Sequence, residues 1–218
     1  MDVEIWSDIA CPWCYVGKRR FETALEQFEH RDDVNVTWRS FELDPAAPPE
    51  RTGDRAERLA EKYGMTVEQA RAAEQRLTDV AAGEGLPFRF DVARSGSTFD
   101  GHRLVHLAEA RGLQDEMKER LLRAYFTEGE LMSDHDALVR LAAEVGLDER
   151  EVRELLAGDR YADAVRGDER TATELGIGAV PTFVIDRQLG ASGAQPPEAL
   201  LDLLRQGWAK RSPASALA

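Results

Sequence analysis

The hydrophobic positions near the N-terminus change period early in the chain. Val3, Ile5 and Trp6 form a short extended run that starts almost at the first residue. Asp8-Ile9-Ala10 reads as a turn, after which Phe21, Ala24, Leu25 and Phe28 recur as one face of an amphipathic helix. Pro12 suits the first position of that helix, where an N–H would have no partner anyway. A second strand is predicted over Val34–Phe41, where Val34, Val36 and Trp38 alternate with Asn35, Thr37 and Arg39. Pro45, Pro48 and Pro49 stop regular structure after it.

From about Asp54 to Leu175 the pattern is helical almost throughout. Tyr63-Gly64 closes one helix, and Thr66 with Gln69 fits a capping box that opens the next. Leu86–Phe90 reads as a non-helical crossing. Thr98 is placed as the cap of a helix ending at Gly112, and a further helix carries Leu121, Leu122, Tyr125 and Phe126. Ser133 is expected to open another that stops at Gly146, Asp148 with Glu151 marks a further start, and one more segment spans Tyr161–Leu175. Gly176 and Gly178 return the chain to strand, and a final helix is expected around Pro197–Trp208. Strands at both ends around a helical middle are the layout of a domain insertion, residues 1–53 and 177–218 enclosing 54–176. The tail Ser212–Ala218 reads as frayed.

The cysteines sharpen this outline. Cys11 and Cys14 are the two cysteines of a 218-residue chain, and both stand in Cys11-Pro12-Trp13-Cys14. Core packing would scatter thiols, and a stabilising cross-link would separate them. Structural zinc usually takes four ligands; one CxxC supplies two, and His30, His102, His106 and His135 add no CxxH or second CxxC. His102 and His106 share a helix face at i, i+4 but lack an identified third ligand, so no metal is expected. A thiol at a helix N-terminus faces unpaired backbone N–H groups and the positive end of the helix dipole. Both favour the thiolate, and a cysteine of pKa near 8.5 falls to roughly 3.5–7.5 in such settings. Cys11 is the predicted nucleophile and Cys14 the resolving thiol.

Far downstream, the segment Gly178–Asp186 places Pro181, after Val180, at the entrance to a β-rich run. Proline is tolerated at the first residue of a strand, and X-Pro is where a cis peptide costs little. Beside a strand–CxxC–helix unit, such a proline is expected opposite the thiol, with the preceding backbone offered to a substrate strand. Pro12 and Trp13, between the thiols, and Val180 and Pro181 are therefore candidate substrate contacts.

Val3–Phe28 carrying CPWC, together with Val180-Pro181 before a strand, resembles the DsbA-like branch of the thioredoxin superfamily. CPWCYVGKRRFE, Thr98-Phe99-Asp100-Gly101-His102-Arg103-Leu104 and Gly193-Ala194-Gln195-Pro196 resemble the FrnE-like dithiol oxidoreductases more closely. The resemblance implies an α/β thioredoxin fold, a central mixed sheet flanked by helices, interrupted by a large all-helical insertion. It implies thiol–disulfide oxidoreductase or isomerase activity, with Cys11 as nucleophile, Cys14 as resolver and Pro181 as a cis-proline. His102 and Arg103 become candidates to face the cleft from the insertion, Arg103 beside the Cys11 thiolate.

The chain also departs from those relatives. Ile5 stands where thioredoxin and DsbA carry a buried carboxylate, leaving Glu4 and Asp8 as flanking stand-ins, and Trp13 replaces the DsbA histidine next to the second cysteine. Sister groups of the same fold, the kappa-class glutathione transferases and hydroxychromene-carboxylate isomerases, supply a second reading with glutathione as cofactor or cosubstrate. They typically carry serine at the Cys11 position. A non-enzymatic redox-sensing module is a third.

Charge narrows the partners. A net charge of −13 argues against nucleic acid, which is held mainly by Lys and Arg on phosphate, and against anionic membrane surfaces. No apolar stretch approaches the ~20 residues that span a bilayer, and no basic-then-apolar leader opens the sequence. A cytoplasmic location is expected. There a lone CxxC is catalytic or sensing rather than structural. The expected partners are protein, peptide or small-molecule thiols and disulfides, with no cofactor beyond the redox-active disulfide and glutathione as a candidate cosubstrate.

Overall fold

The computed structural model describes residues 1–211, so the tail expected to fray, Ser212–Ala218, lies outside the described residues. The chain opens with β1 (Asp2–Ser7), α1 (Pro12–Glu26) and β2 (Asn35–Ser40). A run of helices follows: α2 (Arg55–Tyr63), α3 (Val67–Gly83), α4 (Phe99–Glu109), α5 (Gln114–Arg123), α6 (His135–Glu144), α7 (Glu149–Ala157) and α8 (Ala162–Glu174). Strands β3 (Thr182–Ile185) and β4 (Leu189–Ser192) and helix α9 (Pro197–Arg211) close it. The chain divides into two compact units, residues 1–41 with those from 166 onward, and residues 42–165.

The first unit is built on a four-stranded sheet of order β2-β1-β3-β4. β1 runs parallel to β2 and antiparallel to β3, and β4 is antiparallel to β3. A parallel pair needs a crossover, which α1 provides between β1 and β2. β1 lies between two strands, with Ile5 opposite both Trp38 and Phe183. Val3–Ser7 are all buried, as expected of a strand covered on both faces. That explains why its hydrophobic run is nearly continuous. On one face, Phe21 of α1 stacks on Phe183 with ring centroids 5.5 Å apart, and α9 packs against α1. On the other, Trp6 and Val184 cluster with Ala172 of α8. The Trp6 Nε1–H donates to the Asp168 carbonyl at 3.0 Å, and the Asp168 carboxylate accepts from the Ser40 N–H at 2.8 Å. These bonds pin α8 across β1 and β2. The result is the thioredoxin arrangement implied by the motifs.

The second unit is helical. Thr66 and Gln69 form the predicted capping box at the start of α3, and Asp148 caps α7 through the Glu151 N–H. Phe88 stacks on Phe126 at 4.7 Å, fastening the non-helical crossing over 86–90 to the turn of π-helix at Ala124–Glu128.

Two expectations are corrected. The cap of α6 is Asp134, whose carboxylate accepts from the Asp136 and Ala137 N–H groups, while the Ser133 hydroxyl donates to the Pro49 carbonyl. Strand β4 was not predicted, because its hairpin turn uses Asp186 and Arg187 at φ 46° and 52°, where glycine or asparagine is the usual signal.

Candidate active site

The sequence after β1 delivers Cys11 to the first turn of α1. The Cys11 N–H donates to the Asp8 carbonyl at 3.3 Å, and the Ala10 N–H donates to Asp8 Oδ1 at 3.3 Å. Cys11 is the N-cap residue, extended at φ −91° and ψ 110°, and Pro12 follows at the head of the helix. The Cys14 N–H donates to the Cys11 carbonyl at 3.0 Å. Cys11 is 5% exposed and Cys14 fully buried, so Cys11 is the sulfur with residual access. Trp13, between them, is 43% exposed.

The Val180–Pro181 peptide bond is cis. The Cys11 Sγ–H donates to the Val180 carbonyl at 3.5 Å. Helix α1 approaches the proline so closely that a Cβ on Gly17 would lie 2.8 Å from Pro181 Cγ. Only glycine fits there without displacing the proline. Below it, the Pro181 carbonyl accepts from the Gly193 N–H at 2.7 Å, and the Thr182 hydroxyl donates to the Ala179 carbonyl at 2.7 Å. Residues more than 160 positions apart in the chain thus converge on one sulfur.

The electrostatics correct the expectation of an independently acidic Cys11. Its hydrogen bond with Cys14 pushes the Cys11 thiol well above the usual thiol range, and burial and charge on Cys14 add to this. The Cys14 backbone pulls the other way, and the Asp8 charge raises the thiol further. Cys11 therefore holds its proton more tightly than a lone thiol at a helix start would.

The flanking carboxylates now separate. Glu4 accepts from Arg187 Nε at 2.8 Å and Arg39 Nε at 2.9 Å. The Arg187 hydrogen bond, with help from Arg39 and against burial, holds its carboxyl below the usual range. Glu4 is thus an ion-pair partner and a poor proton carrier. Asp8 is buried beside Cys11 and acts on it by charge.

Comparison with known proteins now bears on this geometry. Residues 2–205 match the model of the DSBA-like thioredoxin domain. The chain belongs to the DsbA-like thioredoxin family. Within it, YwbO, an uncharacterized Bacillus subtilis (strain 168) protein, is 31% identical over 205 residues, covering 88% of this chain and 90% of that one. The crystal structure of a probable DsbA oxidoreductase from Streptomyces coelicolor is 50% identical and superposes with a TM-score of 0.93, covering 100% of this chain and 94% of the other. A cytosolic disulfide reductase, DsbM from Pseudomonas aeruginosa with GSH, shares the fold at 21% identity and a TM-score of 0.67, covering 96% of this chain and 100% of the other.

The first unit holds Cys11, Pro12, Trp13, Cys14, Val180 and Pro181. His102 and Arg103 belong to α4 in the second unit. Arg103 is buried, and its guanidinium donates from Nε to the Arg160 carbonyl at 3.0 Å, from Nη1 to Asp100 at 2.8 Å, and from Nη2 to the Leu155 and Gly158 carbonyls. It binds the C-terminal end of α7. His102 is 1% exposed in the core of α4. Among the described residues, no three His, Cys, Asp or Glu side chains stand close enough to hold a metal ion. A cavity of about 620 Å³ in the second unit is lined by Arg51, Arg55, Arg71 and Arg94, each paired with a carboxylate. No helix among the described residues is long and apolar enough to cross a membrane.

Gly17 is the site residue that the sequence reading missed. Its one signal is a glycine inside a helical pattern, three residues after Cys14, where glycine otherwise weakens a helix.

Proposed function

We propose that this DsbA-like protein exchanges disulfides through Cys11 and Cys14, acting on peptide and protein disulfides in the cytoplasm. The observation that carries the reading is the Cys11 sulfur lying 3.5 Å from the carbonyl of a cis Val180–Pro181 bond. A thiol at a helix start is here set beside backbone that an extended chain can pair with. Exposed Trp13 adds apolar surface at the edge.

In the reductive direction, Cys11 Sγ attacks, as the thiolate, one sulfur of the substrate disulfide. The other substrate sulfur leaves as a thiolate and takes up a proton. A mixed disulfide now joins Cys11 to substrate. Cys14, from one turn further in, gives up its proton and attacks Cys11 Sγ, releasing the second substrate thiol. Two electrons have passed to substrate and Cys11–Cys14 is a disulfide. Two molecules of glutathione re-reduce it and leave as glutathione disulfide. The P. aeruginosa DsbM structure with GSH supports that choice at the level of a shared fold. Oxidation of substrate runs the same steps in reverse.

Turnover of a peptide disulfide with glutathione as reductant tests this. Cys11→Ser should lose all turnover, and Cys14→Ser should accumulate mixed disulfide on Cys11. Turnover surviving in Cys11→Ser contradicts the proposal.

A further inference from the structure

Helix α1 holds the cis-proline segment at more than the cysteine. The Arg20 Nη1 donates to the Ala194 carbonyl at 2.7 Å. The adjacent Gly193 donates its N–H to the Pro181 carbonyl at 2.7 Å, from a φ of +85° that glycine adopts readily and other residues do not. Gln195 stiffens the same loop, its Nε2 donating to the Ser192 carbonyl at 2.7 Å and its N–H to the Gly193 carbonyl at 2.8 Å. With the Cys11 bond to Val180, these contacts close a circuit. It leaves α1 at Arg20, passes through Ala194, Gly193, Pro181 and Val180, and returns to α1 at Cys11. The two anchor points lie about 14 Å apart along the helix at 1.5 Å per residue, with Gly17 against Pro181 between them.

We propose that Arg20 is a positioning residue for disulfide exchange. Through Ala194 and Gly193 it sets where the Val180–Pro181 backbone stands relative to the Cys11 sulfur. This rests on the exchange reading above and adds to it the element that aligns a peptide substrate. Arg20 has no role in the sulfur chemistry itself. Its charged donor makes a stronger bond to a carbonyl than a neutral one would. A substrate laid along Val180 inherits any shift of the loop, and a displacement of 1 Å from attack geometry can cost roughly a hundredfold in rate. A small disulfide that does not use the backbone is indifferent to that shift.

The test compares wild type, Arg20→Met and Arg20→Lys with a peptide disulfide and with 2-hydroxyethyl disulfide, glutathione being the reductant for both. Arg20→Met should lower kcat/KM for the peptide roughly tenfold or more, while turnover of the small disulfide stays at the wild-type rate. Arg20→Lys, which keeps a charged donor, should recover most of the peptide rate. Gly193→Ala strains the same circuit from the loop side and should reproduce the split, which keeps the test available if Arg20→Met fails to fold. Unchanged peptide kinetics, a parallel fall for both substrates, or no recovery with lysine would overturn the proposal. Failure of the exchange reading is distinguishable, since it would appear as peptide turnover in Cys11→Ser.

Discussion

Gly17 and Pro181 are in closest approach where helix α1 crosses the cis-proline, the absent Cβ of Gly17 standing 2.8 Å from Pro181 Cγ. In an ordinary helix interior, replacing glycine by alanine stabilises by about 0.5–1 kcal/mol. Here the methyl group meets a ring held from below by the Gly193 and Thr182 hydrogen bonds. Gly17→Ala should therefore destabilise, by about 1–3 kcal/mol as for other overpacked sites, and should slow peptide exchange. Chemical denaturation of the two proteins checks the sign; a stabilised variant would show that the contact gives way freely.

The surroundings of Cys11 bear on its titration. The Cys14 hydrogen bond is the largest influence raising Cys11, and the Asp8 charge acts in the same direction. Cys14→Ser should lower the Cys11 pKa, because the sulfur whose hydrogen bond and charge raise it is gone. Asp8→Asn should lower it as well. Thiolate absorbance followed against pH reads both, and an upward shift in either variant would contradict the arrangement.

Glu4 links stability to pH with a definite sign. Its folded pKa lies below the unfolded value because Arg187 and Arg39 bind the charged form. The stabilisation is present above the unfolded pKa, about 4.3 for glutamate, and is lost as pH falls through the lower folded value. Glu4→Gln should cost about 1.5–3 kcal/mol at neutral pH, the range for hydrogen bonds to a charged group. The gap between the two proteins should narrow as the pH drops below about 4.3. Urea unfolding at a series of pH values measures it.

Arg103 belongs to the stability of the helical unit. Removing its guanidinium breaks the hydrogen bonds to the Asp100 carboxylate and to the Leu155, Gly158 and Arg160 carbonyls, and a hydrogen bond to a charged group is worth about 1.5–3 kcal/mol. Arg103→Met should lower the melting temperature and leave the reduction potential of the dithiol unchanged. A shifted potential with unchanged melting would contradict this and assign Arg103 to the redox site.

Much of this was legible in the sequence, for local reasons. The Pro12 helix start, the Thr66–Gln69 capping box and the Asp148 cap are set by neighbours within one turn, and the structure has all three. Val180-Pro181 was readable only beside the CxxC motif, since a proline at the start of a strand is ordinary by itself. What the sequence hid depends on contacts between distant segments. Gly17 has meaning only against Pro181, and Arg103 only against the end of α7. The β3–β4 turn was hidden for another reason, since Asp186 and Arg187 take left-handed conformations without a glycine to announce them. The Cys11 acidity was misjudged because the helix-start argument counts amides and leaves out the second sulfur.

The measurement closest to the central claim is redox equilibration of the purified protein in glutathione buffers, with free thiols trapped and counted by mass. The account predicts one reversible two-electron transition in which Cys11 and Cys14 lose their thiols together, at a potential within the range spanned by known dithiol enzymes, roughly −270 to −120 mV. Two thiols that remain free at every glutathione ratio, or a stable glutathione adduct on Cys11 with no Cys11–Cys14 disulfide, would contradict it.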